Sequence, residues 1–334
     1  MKILLVQTSF LGDTVLSTPV IAAIKKLYPT AELWMMVTPQ AKALVERDPL
    51  LAGVIVFAKR GADAGIRGLW KKAQEIRQQS FDMAYSLHKS WRTALLLALA
   101  RIPVRIGFST AKLAFLYTRT VAREASLHDV LRNLCILGTT PSADSPDAEL
   151  RLYAPDVSQL STSVQQVVTS SPYVVLVPGS AWPTKMWNWE GYREVAQHFL
   201  ARSKKVVVVG GPDEVAVARK VCESLPVQNL TGIASIAELL SVIKNAALVV
   251  CNDSMALHVA SAFKVPTVPI FCATSPRFGF GPWRNRATII EKEGLSCKPC
   301  RRHGGTVCPT GTESCMRDVP APTVIAAAER LLSA

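Results

Sequence analysis

The chain has 334 residues, 49% of them hydrophobic and 19% charged, which suits two globular domains with sizeable cores. Its longest apolar runs fall short of the roughly 20 residues of a membrane span, and its apolar start leads into a polar turn instead of a signal-peptide cleavage site. The formal net charge of +13 favours anionic partners, yet no nucleic-acid-binding motif is visible. We expect a cytoplasmic protein that binds an anionic substrate at a membrane surface and binds no nucleic acid.

The first half of the chain alternates between strand-like and helix-like segments. Short apolar runs predict strands at 2–7, 32–37, 54–57, 83–86 and 104–107. Helical spacing of apolar residues predicts helices at 14–27, 40–47, 68–79 and 91–99. This alternation predicts a parallel sheet with helices on both faces.

The same pattern starts again near residue 172, after a polar connector at 154–172 that is expected to contain one short helix. Strands are predicted at 173–177, 205–209, 247–251 and 267–271, and helices at 189–201, 215–224, 236–243, 256–263 and 323–333. We therefore expect two doubly wound α/β domains, at 1–160 and 161–320, followed by a C-terminal helix at 321–334. Ligands of such domains bind at the carboxyl ends of the strands.

The loop after the first strand, Gln7 to Asp13, leads into the N-terminus of a helix, where negative charge is favoured. Gly12 permits a close approach of backbone or ligand. Asp13 suits a plain helix N-cap and equally suits a carboxylate that takes a proton from an attacking hydroxyl. The loop is neither a dinucleotide fingerprint nor a P-loop.

Three loops of the second half carry further candidates, each at the end of a strand. The loop from Pro178 to Trp187 contains small residues, hydroxyls and Lys185, and suits phosphate binding or an ordinary turn. In the run from Asn252 to His258, Asp253 could cap a helix or hold sugar hydroxyls. A lone histidine in an apolar helix, such as His258, is more often a core residue than a ligand-binding one. The carboxylate of Glu214, after Gly210, could bind a ribose or only close a turn.

Four of the eight cysteines cluster near the C-terminus with the spacing Cys297-x2-Cys300-x7-Cys308-x6-Cys315. A C-x-x-C pair followed by two more cysteines is compatible with structural zinc, with disulfides or with reduced thiols, and the spacing matches no well-known zinc finger.

Taken together, five segments resemble the lipopolysaccharide heptosyltransferases of glycosyltransferase family 9, and the last of them most resembles the heptosyltransferase II branch. They are SFLGDTVLSTPVIAAIK, PGSAWPTKMWNWEGY, GGPDE, NDSMALHVASAF and SCKPCRRHGGTVCPTGTESCM. The resemblance implies the GT-B fold, in which two Rossmann-like domains with parallel sheets face a central cleft. It also implies an enzyme peripherally bound at the inner membrane.

The implied reaction transfers heptose from ADP-L-glycero-β-D-manno-heptose to the inner core of lipopolysaccharide on lipid A. The anomeric carbon is inverted, Asp13 acts as the general base, and no metal or other cofactor takes part. The donor contacts implied by the resemblance are Gly12, Ser180, Ala181, Lys185, Glu214, Asp253, Ser254, Met255 and His258. Met255 stands where the family usually has glycine, so the donor pocket is expected to be reshaped there.

The acceptor side has basic candidates in the first domain, which equally suit a solvated face. They are His88, Lys89, Arg92 and Arg105. The alternatives are heptosyltransferase I or III, another sugar-nucleotide transferase or an epimerase. A non-catalytic nucleotide-sugar-binding protein and a zinc-dependent regulatory protein are the alternatives outside enzyme chemistry.

Overall fold

The computed structural model describes residues 1–170 and 172–333, which form two compact units that divide between Tyr153 and Ala154. The division precedes the expected boundary after residue 160. Two hydrogen bonds tie the connector to the second unit: Ser241 Oγ donates to the Pro155 carbonyl (3.5 Å), and the Ser161 N–H donates to Glu238 Oε1 (2.8 Å).

The first unit contains one sheet of six parallel strands in the order β3-β2-β1-β4-β5-β6. The strands are β1 (Lys2–Gln7), β2 (Glu32–Val37), β3 (Gly53–Val56), β4 (Met83–Ser86), β5 (Val104–Phe108) and β6 (Arg119–Val121). In β1 the side chains of Ile3 to Val6 are completely buried, because a central parallel strand is covered on both faces. The predicted parallel sheet is confirmed.

The helices of the first unit are α1 (Leu11–Ser17), α2 (Pro19–Leu27), α3 (Lys42–Val45), α4 (Gly65–Gln78), α5 (Trp91–Leu99) and α6 (Asp129–Leu134). The single helix predicted at 14–27 is wrong: α1 ends at Ser17 and α2 begins at Pro19. Proline has no N–H to continue the first helix, but it is well suited to start the second.

The second unit repeats the design with the strand order β12-β11-β10-β7-β8-β9. Its strands are β7 (Tyr173–Val177), β8 (Lys205–Val208), β9 (Gln228–Asn229), β10 (Leu248–Asn252), β11 (Thr267–Phe271) and β12 (Ile290–Glu291). All residues of β7, β10 and β11 are buried. The second parallel sheet is therefore also confirmed.

The helices of the second unit are α7 (Thr162–Val168), α8 (Trp189–Ala201), α9 (Val215–Cys222), α10 (Ile236–Lys244), α11 (Met255–Ala262), α12 (Ser314–Arg317) and α13 (Ala321–Ser333). α13 packs on α8 and β11 and buries Val324 and Ala327. It is therefore part of this unit; residue 334 of the expected C-terminal helix lies outside the described residues. Within those residues, no helix has both the length and the apolarity of a membrane span.

Candidate active site

Each sheet has a topological switch point, where the chain order reverses between neighbouring strands. The first lies between β1 and β4, and the second between β7 and β10. The loops that leave two such strands diverge and open a crevice at the carboxyl edge of the sheet, where ligands of doubly wound folds bind. The loops after these four strands contain most of the candidate residues.

Asp13 lies at the third position of α1, whose N-cap is Phe10, so it is not the N-cap itself. Its Oδ2 accepts hydrogen bonds from Ser9 Oγ (2.6 Å) and from the Phe10 N–H (3.2 Å). These two donors fix the orientation of the half-buried carboxylate. Gly12 is its neighbour in the same helical turn.

The pKa of Asp13 is raised, first by burial and then by the negative charge of Asp129, although Ser9, Phe10 and Arg123 act in the opposite direction. A carboxylate with a raised pKa is a stronger base than an ordinary one, which is what general-base catalysis requires. The sequence interpretation missed Asp129. It lies at the start of α6, forms an ion pair with Arg123, and accepts from Asn133 Nδ2 (3.3 Å).

Basic side chains gather around the loop after β1. His88 Nδ1 lies 3.0 Å from the hydroxyls of Thr8 and Thr93. Burial and the charges of Lys59 and Lys89 lower the pKa of His88 to about 4, so at neutral pH His88 contributes a hydrogen bond and no charge. Lys59, which sequence reasoning missed, donates to the Thr8 carbonyl.

Two other acceptor candidates lie in different surroundings. Arg92 donates to the Lys59 carbonyl (3.2 Å), so it belongs to the group around Thr8. Arg105 is the second residue of β5, so it lies near the amino ends of the strands, away from the carboxyl edge. It donates to the carbonyls of Ile102 (2.6 Å) and Leu116 (2.8 Å). The structure therefore brings His88, Lys89 and Arg92 together and leaves Arg105 apart.

In the second unit, Lys185 and Asp253 meet across the switch point. Lys185 Nζ lies 2.8 Å from Asp253 Oδ2, and both side chains are largely buried. The same oxygen accepts a hydrogen bond from Thr274 Oγ1 (2.7 Å). Lys185 follows β7, Asp253 follows β10, and Thr274 follows β11, so three strand ends build one charged group.

Asn252 holds the loop after β7 in place, a role that the sequence did not reveal. Its side chain is fully buried and donates from Nδ2 to the carbonyls of Pro178 (2.9 Å) and Gly179 (3.1 Å). Its Oδ1 accepts from the Trp187 N–H (2.9 Å). The only signal in the sequence was its place at the head of the polar run after a strand.

Glu214 lies against the same loop from the side of β8. Its Oε2 accepts from the Gly211 N–H (2.6 Å), and a Cβ atom built on Gly179 or Gly210 would clash with its carboxyl group. Burial raises its pKa, opposed by the Gly211 hydrogen bond. The two glycines therefore make room for this carboxylate beside the switch point.

The N-terminus of α11 lies next to the Lys185–Asp253 pair. Ser254 is its N-cap, Met255 begins the helix with a half-buried side chain, and His258 is buried one turn later. On the other side of the switch point, Ser180 is half-buried and Ala181 is exposed. Backbone N–H groups at such a helix start attract an anion.

The cysteine segment, residues 296–317, contains only free thiols. Within the described residues, no three His, Cys, Asp or Glu side chains form a group that could hold a metal ion. The zinc site that the spacing left open is thus not confirmed in the part of the chain that the structure describes. The Thr310 hydroxyl and nearby backbone N–H groups lower the pKa of Cys308 to about 7, so its thiol ionises more readily than an ordinary cysteine.

Two doubly wound parallel sheets, each with polar loops at its switch point, give the chain the GT-B class of fold. The solved structure of Escherichia coli ADP-heptose lps heptosyltransferase II has this fold, with a TM-score of 0.79 and 22% identity, over 100% of this chain and 99% of that one. The sequence profile described as glycosyltransferase family 9 (heptosyltransferase) matches residues 69–308. The chain therefore belongs to glycosyltransferase family 9, a family of heptosyltransferases.

Two curated relatives come from Escherichia coli (strain K12). Lipopolysaccharide heptosyltransferase 3 is 25% identical over 335 residues, which are 96% of this chain and 95% of the relative. Lipopolysaccharide heptosyltransferase 2 is 25% identical over 307 residues, which are 87% of this chain and 88% of the relative. These two relatives have the same percentage identity to this chain, and heptosyltransferase 3 is matched over more of it.

Proposed function

We propose that the protein transfers L-glycero-D-manno-heptose from ADP-L-glycero-β-D-manno-heptose to the inner core of lipopolysaccharide, with inversion of the anomeric carbon. The observation that carries this proposal is the buried Lys185–Asp253 pair at the switch point of the second unit. It lies at the start of α11, where a nucleotide diphosphate is expected in a doubly wound domain.

The second unit is assigned to the donor. Departure of ADP from the sugar builds negative charge on the diphosphate, which the Lys185 ammonium and the N–H groups of Ser254 and Met255 would stabilise. Asp253 holds that ammonium in position and offers its other carboxylate oxygen to heptose hydroxyls. Glu214, beside Gly179, is assigned to the ribose.

Further donor assignments rest on position alone. Ser180 and Ala181 would line the phosphate region, His258 would support the start of α11, and Gly12 would allow a close approach in the first unit. No metal ion is assigned a step, because lysine and helix N–H groups supply the positive charge in this scheme.

The first unit is assigned to the acceptor, and Asp13 to the general base. Deprotonation of the attacking sugar hydroxyl needs an oriented carboxylate, and Ser9 and Phe10 provide that orientation. Lys59, Lys89 and Arg92 would meet the phosphates or carboxylates of the core.

We assign the protein to the heptosyltransferase II type, which adds heptose to an acceptor that already has one. Two truncated acceptors test this assignment, one without heptose and one with a single heptose, each incubated with ADP-heptose and analysed by mass spectrometry. Transfer only to the second acceptor is expected. Transfer only to the first would point to type I, and ADP-heptose binding without product on either acceptor would refute the type II assignment.

We also propose that the enzyme works at the cytoplasmic face of the inner membrane, docked through the outer face of α4. Ile66 and Trp70, one turn apart, are 84% and 58% exposed. Arg67 and Lys71 lie next to them and are exposed as well. Apolar side chains flanked by cations are typical of helices that lie on anionic bilayers.

Replacing both Ile66 and Trp70 by serine is expected to weaken binding to phosphatidylglycerol vesicles by about tenfold or more, because both side chains would be lost from the bilayer interface. Co-sedimentation with phosphatidylglycerol and with phosphatidylcholine vesicles measures this. Ile233→Ser is the matched control, since Ile233 is 65% exposed in the second unit. Equal vesicle binding by the double variant and the wild type would refute the α4 surface.

A further inference from the structure

The cysteine segment is hydrogen-bonded directly to the loop that carries Lys185. The Thr184 N–H donates to the Gly305 carbonyl (3.1 Å), and the Gly305 N–H donates to Thr184 Oγ1 (2.8 Å). Thr184 Oγ1 in turn donates to the Gly305 carbonyl (3.0 Å). Three hydrogen bonds thus join two residues, and Thr184 is only 4% exposed.

Gly304, the residue before Gly305, lies against the side chain of Lys185 itself. Its φ is +78°, and a Cβ built there would lie 3.0 Å from Lys185 Cγ and 3.1 Å from Trp182 Cβ. Contacts this short would require the lysine stem or the loop to shift by a few tenths of an ångström. The absence of a side chain at Gly304 therefore keeps the present path of the lysine stem open.

The cysteine segment is itself attached to the sheet. The Cys300 N–H donates to the Ala273 carbonyl (3.0 Å), and Lys298 Nζ donates to the Phe271 carbonyl (2.6 Å). The Ala273 N–H donates to the Thr184 carbonyl (3.2 Å). Thr184 is therefore held from two sides. Gly305 of the cysteine segment holds it on one side, and Ala273 holds it on the other. Ala273 directly precedes Thr274, the hydrogen-bond partner of Asp253.

We infer that Thr184, Gly304 and Gly305 are positioning residues that hold Lys185 in the conformation that receives the donor diphosphate. This inference rests on the proposed function of Lys185. A lysine side chain has many rotamers, and a binding site that fixes one of them in advance loses less entropy when the ligand arrives. The cysteine segment thereby sets donor affinity without touching the donor.

Two glycine variants test the inference with a matched control. Gly304 and Gly311 both lie in the cysteine segment with positive φ, +78° and +70°, but a Cβ on Gly311 meets nothing within 4 Å. Alanine imposes the same kind of backbone strain at both positions. We expect Gly304→Ala to raise the KM for ADP-heptose about tenfold with kcat within about twofold of wild type, and Gly311→Ala to change neither.

A second pair of variants keeps the test decisive if Gly304→Ala does not fold. Thr184→Val removes the hydroxyl and should raise the donor KM. Thr184→Ser keeps the hydroxyl and should have the donor KM of the wild type. A purely structural role would instead lower the unfolding temperature and leave the KM of the folded fraction unchanged.

The outcomes separate this inference from the proposed function. Equal donor KM for Gly304→Ala and Gly311→Ala, in an enzyme that turns over ADP-heptose, overturns the positioning role alone. If the wild type shows no turnover, the proposed function fails, and titration calorimetry with ADP still compares the same variants. Weaker ADP binding by Gly304→Ala than by Gly311→Ala would then support the positioning role, and equal binding would refute it.

Discussion

Asp13→Asn is expected to lower the rate of heptose transfer by about 100- to 10,000-fold and to leave the affinity for ADP-heptose unchanged, since general-base catalysis contributes about that much. Asparagine has nearly the same shape, and its Oδ1 can still accept from Ser9 and Phe10. The variant therefore removes the proton acceptor and keeps the local structure. Steady-state kinetics with both substrates, together with donor titration, measure the two effects.

The stability of the same variant provides its control. The folded protein raises the pKa of Asp13 above the ordinary value, so the ionised carboxylate is less favourable in the folded state than in the unfolded chain. This cost is fully present above the folded-state pKa and vanishes below the unfolded-state pKa. Asp13→Asn should therefore unfold at no lower temperature than wild type at pH 7, and any gain should disappear in acid. Lost activity with a lowered midpoint at pH 7 would point to a structural role instead.

Lys185→Met is expected to raise the KM for ADP-heptose by about ten- to a hundredfold, because a charge-assisted contact to the diphosphate is lost. Methionine keeps an unbranched apolar stem beside Gly304 and removes only the ammonium. The transfer rate should fall too, since the leaving group loses its counter-charge.

The substitution also leaves Asp253 in the interior with Thr274 alone, which costs stability. Lys72→Met controls for that cost: Lys72 is largely buried and paired with Glu75 at 2.7 Å in the first unit. It should lower the unfolding temperature and leave the donor KM unchanged. An unchanged donor KM in Lys185→Met would remove Lys185 from the donor site.

The long buried strands could be predicted from the sequence because central parallel strands are covered on both faces and read as unbroken apolar runs. β6 and β9 could not, since they lie at sheet edges, are short, and have exposed residues. α6 was missed as well, and with it Asp129, whose charge raises the pKa of Asp13. Periodicity describes one segment at a time and says nothing about which segments meet.

The candidate site shows the same limit. The resemblance to the family marked Lys185 and Asp253 separately, but only the fold reveals that they form an ion pair shared with Thr274. Asn252 and Thr184 went unnoticed because their roles are hydrogen bonds to backbone groups far away in the chain. Sequence patterns thus indicated the residues with charge more readily than the residues that position them.

The anomeric configuration of the transferred heptose tests the central claim most directly. The product formed from ADP-L-glycero-β-D-manno-heptose and a core acceptor with one heptose would be isolated and examined by NMR spectroscopy. A single displacement assisted by Asp13 predicts an added heptose in the α configuration. A β-linked heptose, or release of free heptose without any product on the acceptor, would contradict it.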